Sequence, residues 1–234
     1  MIIPIVKMHC GVHVVRDDLY MGGTKSRIYE FLYAQHQEVV YACAATSKTP
    51  VYLAATASRL GKKATAFVAA RATPTPEVIK ARELGADVHE IRPGYLSVVR
   101  ARAQAYVDEL GRRGAYLAPL GFDAPHIRAW LGALATQVQF NPDEVWCVAG
   151  SGMLTRSLQI AWPKAVHHAL QVGKHCDVGI AMRHISDLKL EQEFKGETEF
   201  PSERHYDAKA WDLCKRLHTR NSKVLFWNVL GDEL

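Results

Sequence analysis

Gly22-Gly23-Thr24-Lys25-Ser26-Arg27 is the stretch from which the rest of this chain can be read. A lysine that follows a glycine pair and opens a helical pattern is set on a turn, where its amine can meet a carbonyl group instead of bulk water. Lys25 is therefore a Schiff-base candidate, although an ordinary turn before a solvated helix gives the same letters. Upstream, Val12-His13-Val14-Val15-Arg16 alternates as a strand that delivers the chain to the turn. Downstream, Ile28, Phe31 and Leu32 fall at i, i+3 and i+4, the stripe of a helix packed on a core.

Strand and helix signals alternate from there. Residues 39–44, Val-Val-Tyr-Ala-Cys-Ala, form a short apolar run typical of a parallel strand covered on both faces. Thr46-Ser47-Lys48-Thr49-Pro50 then opens a helix over 51–60, with a hydroxyl cap, Pro50 in the first turn and Gly61 as the stop. The pattern continues as a strand (64–69), a helix (76–84) stopped by Gly85, a strand (87–91) and a helix (95–110). Residues 115–122 break the rhythm before a helix over 124–139 and a strand over 144–148. A glycine turn and another helix follow, with His167 and His168 read as helical. A strand is expected at 176–182, a charged run at 187–199, a helix at 206–217 and a last strand at 223–230. Such alternation is the signature of βαβ units and a parallel sheet.

The 234 residues suffice for a full core, and 48% hydrophobic with 23% charged content is ordinary for a globular protein. No apolar run approaches the ~20 residues that cross a bilayer, and the start is too short and proline-broken for a signal peptide; with cysteines that suggest no disulfide framework, a cytoplasmic protein is expected. Five scattered cysteines form no C-x-x-C pair, and the histidines show no metal spacing. The tail Gly231-Asp232-Glu233-Leu234 has only a chance likeness to a retention signal. A net charge of +5 and a pI near 8.9 permit a polyanionic partner, with basic residues gathered at Arg59 to Lys63, Arg100 to Arg102 and Arg112-Arg113.

Two further constellations bear on chemistry. Gly150-Ser151-Gly152-Met153-Leu154, between a strand and a helix, would present backbone N–H groups at the positive end of that helix, where a phosphate binds. Tight packing alone would also call for such a turn. Ser47, after a strand and at a helix start, can cap the helix, bind a carboxylate or move a proton.

The segment from Val14 to Arg27, with Arg16-Asp17-Asp18-Leu19 leading into Gly22-Gly23-Thr24-Lys25-Ser26-Arg27, resembles the lysine segment of the fold-type II pyridoxal phosphate (PLP) enzymes. It looks most like the branch of 1-aminocyclopropane-1-carboxylate deaminase and D-cysteine desulfhydrase, with Thr24 for the usual asparagine. The resemblance implies that Lys25 carries PLP, that residues 150–154 hold its phosphate, and that Ser47 faces the substrate. It puts Lys48, for the usual asparagine, and Thr49 beside the cofactor. Tyr206-Asp207-Ala208-Lys209 resembles the family's Tyr-Glu-Gly-Lys, which sets Tyr206 beside the ring and Asp207 at the pyridine nitrogen. The stretch from Val224 to Gly231 resembles the terminal Val-Leu-Phe-x-His-Thr-Gly-Gly, with Asn228 for histidine and Val229 for threonine, which sets Asn228 beside the cofactor with part of the polar contact to the ring lost. Residues 117–123 resemble the Pro-x-Gly-Gly-Ser segment.

The implied fold is α/β and tryptophan-synthase-β-like: a large parallel-sheet domain of residues 1–42 and 123–234, with a smaller αβ domain of 43–122 inserted. The implied activity is Cα carbanion chemistry on an amino-acid substrate: decarboxylation, elimination or deamination. The chain is shorter than usual members, and an open, basic cleft would suit an amino acid attached to a thymine-derived base in DNA, as acted on by compact bacteriophage relatives. A small-molecule lyase or deaminase and a non-catalytic PLP- or DNA-binding accessory are the other readings. A homodimer is expected because relatives usually form one.

Overall fold

The computed structural model describes residues 2–111 and 114–231, so Arg112-Arg113 and Asp232-Glu233-Leu234 lie outside the described residues. Two compact units emerge, one of Met1–Thr24 with Asp123–Leu234 and one of Lys25–Phe122. The strand of residues 38–43 pairs only with strands that follow it, within the second unit.

The chain starts with a hairpin of β1 (Val6–His9) and β2 (Val12–Arg16), closed by Cys10 and Gly11, both at positive φ. Helix α1 (Gly23–Tyr33) follows, and Ile28, Leu32 and Tyr33 on it are buried as the apolar stripe requires.

The second unit is built from β3 (Glu38–Cys43), α2 (Thr49–Leu60), β4 (Lys63–Ala69), α3 (Pro76–Glu83), β5 (Asp87–Ile91), α4 (Leu96–Leu110) and β6 (Ala115–Ala118). Its four strands are parallel in the order β5-β4-β3-β6. All six residues of β3 are buried, as its unbroken apolar run demands. Val40, Ala42, Phe67, Val99 and Ala103 form the core between this sheet and α4. Helix α2 ends on Gly61 at φ 63°, the left-handed stop expected there. Its start differs from expectation. The residue flanking the first turn is Lys48, which makes no side-chain cap, while the Ser47 hydroxyl accepts from the Thr49 N–H at 3.3 Å. Strand β6, whose residues carry no clear strand pattern of their own, completes the sheet edge.

Back in the first unit come α5 (Pro125–Thr136), β7 (Glu144–Ala149), α6 (Met153–Ala161), β8 (Val166–Gln171), β9 (Met182–Ile185), α7 (Asp207–Leu217) and β10 (Val224–Asn228). The six-stranded sheet runs β1-β2-β10-β7-β8-β9, parallel except for β1. Helix α5 packs closely on α6 because Gly132 has no side chain to meet Ile160 and the Ser157 carbonyl. On the opposite side of the sheet from His167, the Trp146, Trp211, Phe200 and Phe226 rings form the core under α7.

Two expectations in this unit are corrected. His167 and His168 stand on strand β8, not on a helix, and therefore point to opposite faces. His168 lies flat on Trp146, its register partner, with ring centroids 4.0 Å apart and planes 2° apart, so an imidazole fills a place usually taken by an apolar side chain. The strand expected over 176–182 is β9, confined to Met182–Ile185, because residues 176–181 turn along α6, where the Gln159 side chain bonds the Val178 carbonyl and the Ile180 N–H. Helix α5 also stops at Thr136, three residues short. Among the described residues no helix is long and apolar enough to cross a membrane, and no group of three or more His, Cys, Asp or Glu could hold a metal.

Candidate active site

In the first unit, the buried strand β7 runs into Gly150-Ser151-Gly152, and α6 begins at the next residue. Gly152 has φ 75°, and a Cβ there would lie 1.8 Å from the main-chain oxygen of Asp177. Only glycine fits. The N–H groups of a helix start thus follow a turn that hugs the backbone, the arrangement that takes a phosphate. Ser151 Oγ accepts from the Met153 N–H at 3.4 Å. Arg156, one turn further along α6, pairs with Asp123 and Asp177, and with the Gly179 N–H it holds the Asp177 carboxyl below the usual carboxylate range.

Tyr206 flanks this turn: its ring carbon Cε1 would be 3.4 Å from a Cβ on Gly150. Burial, with Glu203 and Asp207 adding to it, pushes the Tyr206 phenol up, which keeps it neutral. Asp207 opens α7, is 2% exposed, and accepts the Val229 N–H at 3.2 Å. A carboxylate in the first turn of a helix is favoured by the helix dipole. Cys147, wholly buried behind it, has its thiol pushed up to about 12 by burial and so stays uncharged. The structure brings the glycine turn, Tyr206 and Asp207 together within one unit.

Asn228 directly precedes Val229, whose N–H meets Asp207. It is 0% exposed; its amide hydrogens go to Asp18 Oδ1 at 2.7 Å and the Pro201 carbonyl at 2.9 Å, and its oxygen accepts from Ser202 at 2.8 Å. Both donors are occupied inside the fold. Asn228 ties β10 to the Asp18 and Pro201 segments, and Asp18 is held further by two bonds from Arg16.

In the second unit, Lys25 stands half-buried in the first turn of α1, with Nζ 5.5 Å from the centroid of the Tyr52 ring. Cys43, at the carboxyl end of β3, brings Lys25 and Ser47 to one neighbourhood. Burial pushes its thiol up to about 12, while a Ser47 hydrogen bond and the Lys25 charge oppose the shift. Carboxyl ends of parallel strands are where open α/β sheets place ligands. Lys48 is half-buried and Thr49 buried at the start of α2. Cys43 and Tyr52 were not foreseen as site residues; the end of a fully apolar strand was the only signal.

No family model and no curated protein matches the sequence. Solved structures match its fold. A structure titled as a 1-aminocyclopropane-1-carboxylate (ACC) deaminase homologue aligns with a TM-score of 0.73 and 18% identity, over 94% of this chain and 84% of that one. The processed form of threonine deaminase isoform 2 from Solanum lycopersicum aligns with a TM-score of 0.68 and 13% identity, over 99% and 79%. A pyridoxal 5'-phosphate-dependent aspartate racemase aligns with a TM-score of 0.63 and 12% identity, over 96% and 85%. The chain has the fold-type II fold. At these identities the likeness establishes architecture, so the chemistry within the fold-type II frame must be argued from the residues themselves.

Proposed function

We propose that the protein is a PLP-dependent enzyme of the lyase or deaminase kind, acting at the Cα of an amino-acid substrate. The observation that carries the reading is the setting of Lys25: a half-buried amine in the first turn of α1, beside an aromatic face and the carboxyl end of β3. The residues fit the cofactor in chemistry, with one amine, one glycine turn at a helix start and one buried carboxylate. PLP supplies an electron sink for a Cα carbanion when bound.

Lys25 would bind the cofactor through Nζ and move the Cα proton at the same atom. The N–H groups of residues 150–154 would take the phosphate. Asp207 would hold a proton on the pyridine nitrogen, since a buried carboxylate favours a cation beside it. Tyr206 would flank the ring, and Ser47, Lys48 and Thr49 would meet the substrate and the ring's other edge. Asn228 would act through the segments it ties down. The threonine deaminase and the aspartate racemase among the aligned structures are amino-acid enzymes, which supports this substrate class. The finer proposal, an amino acid carried on a thymine-derived base of DNA, is supported by the net charge of +5.

The test is an absorbance spectrum of the protein reconstituted with PLP, wild type beside Lys25→Ala. A visible band that borohydride discharges, and that Lys25→Ala lacks, is expected. A protein that stays colourless would leave the accessory reading in its place. Ammonia release from a panel of free amino acids is then measured beside release from DNA bearing aminoacyl bases, and turnover on DNA alone would establish the finer proposal.

A further inference from the structure

Two buried polar side chains, Asp17 and Trp227, flank that of Thr24, the residue just ahead of Lys25, and none of the three has a part in the chemistry above. Asp17 and Trp227 are 0% exposed and Thr24 is 3% exposed. The Thr24 hydroxyl donates to Asp17 Oδ2 at 2.6 Å and accepts from Trp227 Nε1–H at 3.0 Å. Indole nitrogen can only donate, so the hydroxyl hydrogen must point to Asp17, and the direction of the whole relay is fixed. Burying such groups is costly unless they are paired, so the fold has committed them to this arrangement.

The main chain is held as firmly. Thr24 N–H donates to the Val229 carbonyl at 3.2 Å, and a Cβ on Gly23, at φ 58°, would lie 1.9 Å from that same oxygen. The other side of Val229 faces Asp207, whose Oδ1 accepts its N–H at 3.2 Å. One residue just past the end of β10 therefore grips Thr24 with its carbonyl and Asp207 with its amide.

We infer that Asp17, Thr24 and Trp227, with the Val229 peptide, are positioning residues for the cofactor lysine, keying the peptide from which Lys25 departs to the carboxylate of Asp207. The inference rests on the reading that Lys25 carries PLP. Thr24 acts through its hydroxyl, which bridges the buried carboxylate and the buried indole, and its own carbonyl carbon is bonded to the Lys25 nitrogen. Val229 needs no polar side chain for its part, since both of its bonds come from the backbone.

The experiment uses Thr24→Val, which keeps shape and branching but removes the hydroxyl, with Thr24→Ser as the conservative restoration. Thr65→Val is the control, because Thr65 is 0% exposed and likewise donates its hydroxyl to a buried carboxylate, Glu38, in the other unit. Two quantities are read: the rate of PLP capture at Lys25, fixed with borohydride and located by peptide mass, and hydrogen exchange of the 23–25 amides in PLP-free protein. Thr24→Val is expected to slow capture about tenfold or more and to speed exchange at those amides, the scale on which a small misplacement acts. Thr24→Ser should recover most of both, and Thr65→Val should lower the melting temperature while leaving both unchanged. Capture by Thr24→Val at the wild-type rate overturns the inference alone, as does an equal slowing by Thr65→Val. A wild-type protein that never captures PLP at Lys25 overturns the underlying reading and the inference with it.

Discussion

Placing an alanine at Gly152 should cost far more than placing one at Gly61, although both glycines sit at similar positive φ, 75° and 63°. At Gly61 a Cβ would meet nothing within 4 Å, so Gly61→Ala bears only the cost of the left-handed backbone, about 1–2 kcal/mol. At Gly152 the same Cβ would lie 1.8 Å from the Asp177 oxygen and 2.8 Å from its carbonyl carbon. The first distance is about 1.7 Å short of ordinary contact. The obstacle is backbone and cannot swing aside, so the turn or the 176–178 segment must shift, adding about 1–3 kcal/mol. Gly152→Ala is thus expected to cost about 2–5 kcal/mol. In a chain of this size each kcal/mol lowers the melting temperature by about 2–4 °C. Thermal melting followed by circular dichroism reads both variants, and PLP titration should show Gly152→Ala with weakened binding and Gly61→Ala without. Equal melting temperatures for the two would refute the claim that close backbone approach, rather than the dihedral alone, requires glycine in the turn.

Acidification should destabilise the fold. His168, His184 and His167 on the first sheet, with His9 and His13, are all held below the ordinary imidazole pKa chiefly by burial. The unfolded chain therefore binds more protons than the folded one below about pH 6.5, and stability present above that pH is lost as pH falls through it toward the lowered folded values. Urea midpoints measured from about pH 8 down to about pH 5, the window in which imidazoles change charge, check this; a flat profile would contradict it. His168→Phe, which keeps the stack on Trp146, should flatten part of the slope. Glu38→Ala, which deprives the wholly buried Thr65 hydroxyl of its acceptor, should cost about 1–3 kcal/mol by urea denaturation, with Glu38→Gln recovering part.

The alternation that fills the second unit was legible because β3 and β4 are covered on both faces and its helices stop at glycines that need positive φ. Those features act locally, within a few residues. Strand β8 was not legible, since Val-His-His-Ala-Leu-Gln is held as a strand by pairing with β7 and β9, with His168 stacked on Trp146 and bonded to His184 at 3.1 Å. Strand β6 was hidden because its place at a sheet edge is set by pairing with β3, far upstream. The glycine turn could be read from its letters, as the chemistry lies in the backbone. The duties of Asn228 could not, for its partners Asp18, Pro201 and Ser202 are distant in sequence.

The order of the first sheet bears on how the chain can be assembled as it is made. Strand β2 sits between β1 and β10, with His13 opposite Leu225, so a strand synthesised near the beginning has no interior neighbour until almost the last one arrives. Every strand of the second sheet, by contrast, has its partners by Ala118. During translation the inserted unit can close while the hairpin of β1 and β2 waits with one edge bare. A ribosome stalled ahead of Val224 would display a sheet split in two, β1-β2 on one side and β7-β8-β9 on the other. The same incomplete edge is what a quality-control protease or a chaperone would find to grasp.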